Sequence, residues 1–330
     1  MPNMLKWIHG TALFAFMLLA PASPVLAGPP HDFGSPQRFV VFGDSLSDPG
    51  NAFVLTRKLE VPPFDSLIPD APYARGALHF SNGPTWVEQL SLLEHALPSA
   101  GPGFLQSKVF SNYAVGGARA RLPGPVDLSA QVRVFDDEFH GHAPAGALYV
   151  VWTGGNDVRD ALEALAQDQS GATSVFILQQ AVFSIRDNLL ALYGSGARKF
   201  LVPNAPDIGL TPAVRLLGPA VQGAASFLSD QFNQGLELVL QGLEAGLGVE
   251  IVRLDVFGIL HEIVAQPAKF ELTDVTGPCI RLNVTVHAFC ERPGKFLFWD
   301  GIHPTVAGHR ILAKRANAAL GNLLELAAAL

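Results

Sequence analysis

Phe39-Val40-Val41-Phe42-Gly43-Asp44-Ser45-Leu46-Ser47-Asp48-Pro49-Gly50-Asn51 is the stretch on which the reading of this chain turns. An apolar run breaks at a glycine, and an acid and a serine follow at once. The pattern fits a buried strand over 38–42 that ends in a tight turn and lifts Ser45 into solvent. Gly-Asp-Ser is also ordinary turn chemistry, and the tripeptide alone favours a plain strand-to-loop turn. What Ser45 does depends on the partners the rest of the chain supplies.

Working outward, a second strand is expected over 108–115, followed by Gly116-Gly117. A third is expected over 147–153, where Ala-Leu-Tyr-Val-Val-Trp-Thr is almost continuously apolar. Such a run suits a strand buried on both faces of a parallel sheet. The fourth and fifth fall at 199–203 and 250–254. Between them lie helical patterns. Pro84 is expected to open a helix with Trp86, Leu90 and Leu93 on one face. Val158, Leu162 and Leu165 mark a second helix. Leu178, Val182, Ile185, Leu189 and Leu192 stripe a long one over 173–193. Residues 212–247 read as mostly helical, in one or two pieces. Thr305 begins the last helix, with Leu312, Ala316, Leu320, Leu323 and Leu324 facing inward. Strands alternating with helices of this length predict an α/β fold, a mainly parallel sheet with helices on both faces.

The chain has 330 residues, 49% of them hydrophobic, and a formal charge of -7, with no Lys/Arg run or basic stripe to serve a nucleic acid. Residues 1–27 read as a secretory signal peptide. Lys6 precedes a short apolar run, and Val25-Leu26-Ala27 ends at a small residue, so cleavage is expected between Ala27 and Gly28. The run is short of the roughly 20 residues of a spanning helix, and no cysteine stands at the cut to carry a lipid. One mature domain over 28–330 is expected, secreted or periplasmic, with no transmembrane span. The only two cysteines, Cys279 and Cys290, fit one disulfide closing a short loop in an oxidising compartment. His287 lies nearby, but no second ligand cluster supports a metal.

In open α/β sheets, ligand sites form outside the carboxyl ends of the strands. Those ends carry Gly43-Asp44-Ser45, Gly116-Gly117 and Gly154-Gly155-Asn156-Asp157. Just before the last helix comes Phe298-Trp299-Asp300-Gly301-Ile302-His303-Pro304. Together they hold what acyl transfer requires: a hydroxyl, a base, an acid to orient the base, and donors for an oxyanion. Ser45 needs a base within hydrogen-bond reach. His303 is the favoured one because Asp300, three residues before it, can fold back onto the imidazole. His140 has the same spacing from Asp137, but it precedes the third strand and so falls towards the wrong edge of the sheet. The Ser45 N–H, a glycine N–H (Gly117, with Gly116 as the rival) and the Asn156 amide are the candidate oxyanion donors. Asn156 could instead cap its helix, unless Asp157 does so.

The four segments Gly43–Asp48, Asn112–Ala118, Gly155–Asp157 and Asp300–Thr305 resemble, in order, the four sequence blocks of the GDSL, or SGNH, esterase/lipase superfamily. Phe80–Glu88, Pro203–Gly209 and Phe298–Asp300 are similar to its bacterial and plant-type branch. The resemblance implies a flavodoxin-like three-layer α/β/α sandwich without metal or organic cofactor. It carries the nucleophile onto Ser45, the oxyanion donors onto Gly117 and Asn156, the base onto His303 rather than His140, and the acid onto Asp300. Asp44, Asp48 and Asn51 are expected to be structural. The implied activity is hydrolysis of a small-molecule, lipid or acetylated-carbohydrate ester. Acyl transfer to an alcohol, carbohydrate deacetylation and a non-catalytic binding module are the alternatives. Tyr73, Phe80 and Trp86 could be sugar platforms, acyl contacts or core. The segment 58–82 and the cysteine loop are the expected pocket walls.

Overall fold

The first strand, β1 (Arg38–Gly43), forms where the apolar run predicts and ends at Gly43. The structure is a computed structural model and describes residues 36–57, 78–96, 98–280 and 288–321. After β1 come α1 (Asn51–Thr56), α2 (Trp86–Leu93), α3 (Leu128–Glu138), β2 (Ala147–Trp152), α4 (Gly155–Leu165) and α5 (Ala172–Gly194). Then follow β3 (Lys199–Pro203), α6 (Pro212–Arg215), α7 (Pro219–Leu247), β4 (Glu250–Leu254), α8 (Val256–Ala265), β5 (Asp274–Pro278), β6 (Phe296–Phe298) and α9 (Val306–Ala319).

The main sheet has the order β1-β2-β3-β4, and all its pairings are parallel. Side chains on a strand alternate between faces, and the register turns that alternation into rows. Val40, Tyr149, Phe200 and Ile251 stand side by side, and so do Val41, Val150, Leu201 and Val252. The first row packs under α3, α4, α5 and α7. The second packs under α2, α8 and α9. Both faces are therefore covered, which is why β2 is buried at every position, and the result is the three-layer α/β/α sandwich. Each fully buried aliphatic or aromatic side chain in these rows contributes about 2 kcal/mol relative to exposure.

The strand expected over 108–115 is shorter than predicted. Residues 111–115 do run parallel to β1: Val41 N–H donates to Ser111 O at 2.9 Å, Tyr113 N–H to Val41 O at 2.7 Å, and Val115 N–H to Gly43 O at 3.2 Å. On the outer edge the Asn51 amide donates to the carbonyls of Asn112 and Ala114 at 2.7 and 2.9 Å, and Gly103 N–H also donates to Asn112 O at 2.9 Å. Counting this segment, the chain order across the sheet is second, first, third, fourth, fifth, the flavodoxin-like arrangement.

Other departures are local. Pro84 does not open α2: Thr85 caps it, with its N–H and hydroxyl both donating to Glu88 at 2.8 and 2.7 Å. The 212–247 helix breaks in two at Gly218, φ 95°, before Pro219. The stretch that leads to the cysteines carries β5, which pairs in parallel with β6. Leu323, Leu324, Tyr73 and His287 lie outside the described residues. Among those described, only α5 is long and apolar enough to cross a membrane; here Leu178, Val182, Ile185, Leu189 and Leu192 place it in the core.

Candidate active site

The chain leaves β1 toward one side of the sheet and β2 toward the other, so a crevice opens between their carboxyl ends. Ser45 follows β1 and Asn156 follows β2. The turn at Ser45 is fixed by close packing. A Cβ on Gly43 would lie 2.8 Å from the Trp152 carbonyl oxygen, so only glycine fits. The Gln131 amide clasps Gly43 from the other side: Oε1 accepts its N–H at 2.9 Å and Nε2 donates to its carbonyl at 2.8 Å. Asp44 Oδ1 accepts Leu46 N–H at 3.0 Å, and the Asp44 carbonyl accepts Ser47 N–H at 3.0 Å. Burial pushes the Asp44 carboxyl up to about 6, against that bond and the nearby His303. Asp48 accepts the N–H groups of Gly50, Ala52 and Gly116 at 2.8, 3.1 and 2.8 Å. Asp44, Asp48 and Asn51 are thus framework, as expected.

The loop between β6 and α9 delivers the histidine. Trp299 N–H donates to His303 O at 2.7 Å, and Thr305 N–H to Leu297 O at 2.8 Å, closing the loop back on β6. Within it, Asp300 Oδ1 accepts the N–H groups of Ile302 and His303 at 2.8 and 2.7 Å. Its other oxygen lies 2.7 Å from His303 Nδ1. With the proton on Nδ1 held there, Nε2 is left as acceptor, and Ser45 Oγ lies 2.7 Å from it. Asp300 and His303 are buried, while Ser45 is half-buried. Phe80 covers the imidazole at 5.4 Å between ring centres. Ser81 Oγ donates to Pro304 O and Val306 N–H donates to Asn82 Oδ1, both at 2.8 Å, so the 80–82 segment braces the same loop.

Gly116 and Gly117 differ in their N–H groups. That of Gly116 is spent on Asp48. Gly117 has φ 82° and open space where a Cβ would stand, and neither its N–H nor that of Ser45 meets an acceptor among the described residues. Asn156 Nδ2 donates to Ala118 O at 2.9 Å, tying its amide to the same loop. Neither Asn156 nor Asp157 caps α4. Gly154 occupies that position at φ 123°, and a Cβ there would strike Phe232. Asp157 instead accepts Ala120 N–H and Arg121 Nη1 at 2.8 and 2.9 Å, and Asp160 accepts Arg119 Nε and Arg121 Nη2 at 2.6 and 2.8 Å. This ion network anchors the 117–121 loop to α4.

The remaining histidines stand elsewhere. His140 is exposed beyond the end of α3, on the approach to β2. His261, on α8, pairs with Asp207 at 2.9 Å. His309 is buried in α9 and accepts the Trp86 N–H at 3.2 Å; burial lowers its pKa from 6.5 to about 3. No group of three or more His, Cys, Asp or Glu among the described residues could hold a metal ion.

A cavity of about 270 Å³ opens beside Ser45, Asn156 and His303. Most of the expected wall segment 58–82 and the middle of the cysteine loop, 281–287, lie outside the described residues. Among the described residues the walls come from the 206–217 segment, α4, α8 and α9, including Val214, Leu217, Ile259, Leu260, Ile263 and Leu312. Cys279 and Cys290 do form a disulfide. Cys279 N–H and Ile280 N–H donate to Phe298 O and Trp299 O at 3.0 and 2.8 Å, so the bridged segment braces the strand leading to Asp300. Trp86 is core, edge-on to Trp152 at 5.3 Å, and Phe80 is buried against Phe53.

Fold and geometry together define a doubly wound α/β protein with a serine, a histidine and an aspartate in one hydrogen-bonded line at its switch point. The GDSL-like Lipase/Acylhydrolase family matches residues 39–316, and the chain belongs to that family. The Arabidopsis thaliana protein GDSL esterase/lipase At5g55050 is 26% identical over 91% of this chain and 90% of its own length. The Inactive GDSL esterase/lipase-like protein 25 of the same plant is 25% identical over 89% of this chain and 72% of its own. Among solved structures, the acetylxylan esterase Axe2 of Geobacillus stearothermophilus aligns with a TM-score of 0.47 at 17% identity, over 88% of this chain and 96% of that one.

Proposed function

We propose that the mature protein, residues 28–330, is an exported serine hydrolase of carboxylic esters. The observation that carries this reading is the line Ser45 Oγ, His303 Nε2, His303 Nδ1, Asp300 Oδ2, with both links at 2.7 Å, in a chain of this family. Ser45 Oγ attacks the ester carbonyl while its proton passes to His303 Nε2. Asp300 holds the imidazole in the required tautomer and stabilises the imidazolium that forms. The carbonyl oxygen becomes an oxyanion, received by the N–H groups of Ser45 and Gly117 and by the Asn156 amide. Collapse of the tetrahedral intermediate breaks the bond to the alcohol oxygen, which takes the proton from His303. Water, deprotonated by His303, then attacks the acyl-Ser45 ester; the acyl–Oγ bond breaks, Ser45 Oγ takes the proton back from His303, and the acid is released.

The relative named inactive means that overall likeness does not by itself carry activity; the intact hydrogen-bonded line supports activity here. The test is Ser45→Ala in purified, folded protein: ester hydrolysis is expected to fall by at least 1000-fold, and hydrolysis at the native rate overturns the assignment. Export is supported by the disulfide, which suits an oxidising compartment. N-terminal sequencing of exported protein is expected to begin at Gly28.

A further inference from the structure

We propose that the cavity beside Ser45 is an acyl-chain site, and that the substrates are esters of medium-length, unbranched acids rather than acetyl esters of carbohydrates. The inference rests on the reading of Ser45 as the nucleophile. Among the described residues, the polar side chains lining the cavity belong chiefly to the proposed reaction: Ser45, Asn156 and His303, with Asp44 behind them. Arg159 and Glu163 stand on α4, 3.7 Å apart, and neutralise each other. The Thr211 hydroxyl is spent on the Ile208 carbonyl at 2.6 Å.

The walls from α8 and α9 are purely apolar. Ile259, Leu260, Ile263 and Leu312 form them, each at most 9% exposed, and no side chain there can bond a sugar hydroxyl. A carbohydrate placed against these walls would leave its hydroxyls desolvated and unpaired, which disfavours it strongly. An acetyl group would leave them uncovered. A hydrocarbon chain covers them. An engineered apolar cavity of about 150 Å³ takes the six carbons of benzene, so by the same scale 270 Å³ takes on the order of six to ten carbons. Leu217, 64% exposed on the segment between α6 and α7, also lines the cavity and gives an entering chain an apolar threshold.

Two measurements test this together. The native protein is assayed with p-nitrophenyl esters from acetate to palmitate, and Ser45→Ala is titrated calorimetrically with decanoate and with acetate. The expected kcat/KM rises about fourfold per added methylene up to roughly eight carbons and then falls. Decanoate is expected to bind Ser45→Ala at least tenfold more tightly than acetate. Ile263→Trp, which fills the wall, should lower the octanoate-to-acetate ratio of kcat/KM at least tenfold and weaken decanoate binding to the same degree. Leu260→Phe serves the same purpose if Ile263→Trp melts without a cooperative transition. Hydrolysis that is best with acetate, with decanoate bound no more tightly than acetate, overturns the acyl-chain site and leaves the hydrolase reading standing. Decanoate bound as expected by a native protein that cleaves no ester supports the site and overturns the hydrolase reading.

Discussion

Asp48 Oδ2 accepts the backbone N–H of Gly116 at 2.8 Å, across 68 residues of sequence. This bond joins the turn that carries Ser45, the proposed nucleophile, to the loop that carries Gly117, a proposed oxyanion donor. It also sets the two adjacent glycines apart, since Gly116 spends its N–H on Asp48 while that of Gly117 meets no acceptor among the described residues.

Substitution of the two glycines should therefore give opposite signatures. A Cβ on Gly116 would lie 2.3 Å from the Phe80 ring, so Gly116→Ala is expected to lower stability by about 2 kcal/mol through overpacking. Gly117→Ala has room for its Cβ but must hold φ 82°. It should cost about 1 kcal/mol in stability and lose far more in kcat as the N–H tilts away. Urea midpoints and kcat, measured on both variants, check the contrast; equal profiles would contradict it.

Asn156→Ala removes a proposed oxyanion donor without touching the line from Ser45 to Asp300. The expected loss is about 100- to 1000-fold in kcat, with KM changed little, because the interaction strengthens only as charge develops. A rise in KM at constant kcat would assign Asn156 to ground-state binding instead.

Removing the Cys279–Cys290 bridge frees a short loop in the unfolded chain and loosens the segment bonded to Phe298 and Trp299. Cys279→Ser with Cys290→Ser is expected to lose about 3 kcal/mol, read as a lower urea midpoint. Activity at low temperature should survive, since no cysteine lines the cavity.

His309 sets a pH dependence of stability. Its pKa is about 3 in the fold against 6.5 ordinarily, because burial disfavours the charged ring. Its contribution is therefore fully present above pH 6.5 and is lost progressively as pH falls toward 3. The stability advantage of the native protein over His309→Gln should narrow by about 1.4 kcal/mol per pH unit below 6.5. Asp44 and Asp48, raised to about 6 by burial, act in the opposite sense, favouring the fold as pH falls from 6 toward 4. They are common to both proteins and cancel in the comparison. Denaturation curves between pH 4 and 7.5 measure the difference; a constant gap would show that His309 does not titrate differently on folding.

Much of this was legible in the sequence, for physical reasons. Strands β1 and β2 are unbroken apolar runs because both of their faces are covered. Ser45, Asn156, Asp300 and His303 sit at chain reversals whose residue types are chemically distinctive. The edge strand was overestimated at its start, because Phe110 N–H turns back to Gln106 O and only 111–115 make backbone bonds to β1. Gln131, the clasp on Gly43, was missed altogether: a glutamine on a helix has no local signature, and its partner is 88 residues distant. The walls from α8 were not legible for a related reason. Ile259, Leu260 and Ile263 look like core residues in a helical pattern, and whether they face core or cavity depends on how the 206–217 segment passes over them.

The most direct test of the account is to trap the nucleophile. Native protein is treated with a fluorophosphonate, and the adduct is located by peptide mass spectrometry. The account predicts a single adduct on Ser45, its rate sharply reduced in His303→Ala and its site lost in Ser45→Ala. Labelling of another residue, or equal labelling of Ser45→Ala, would contradict it.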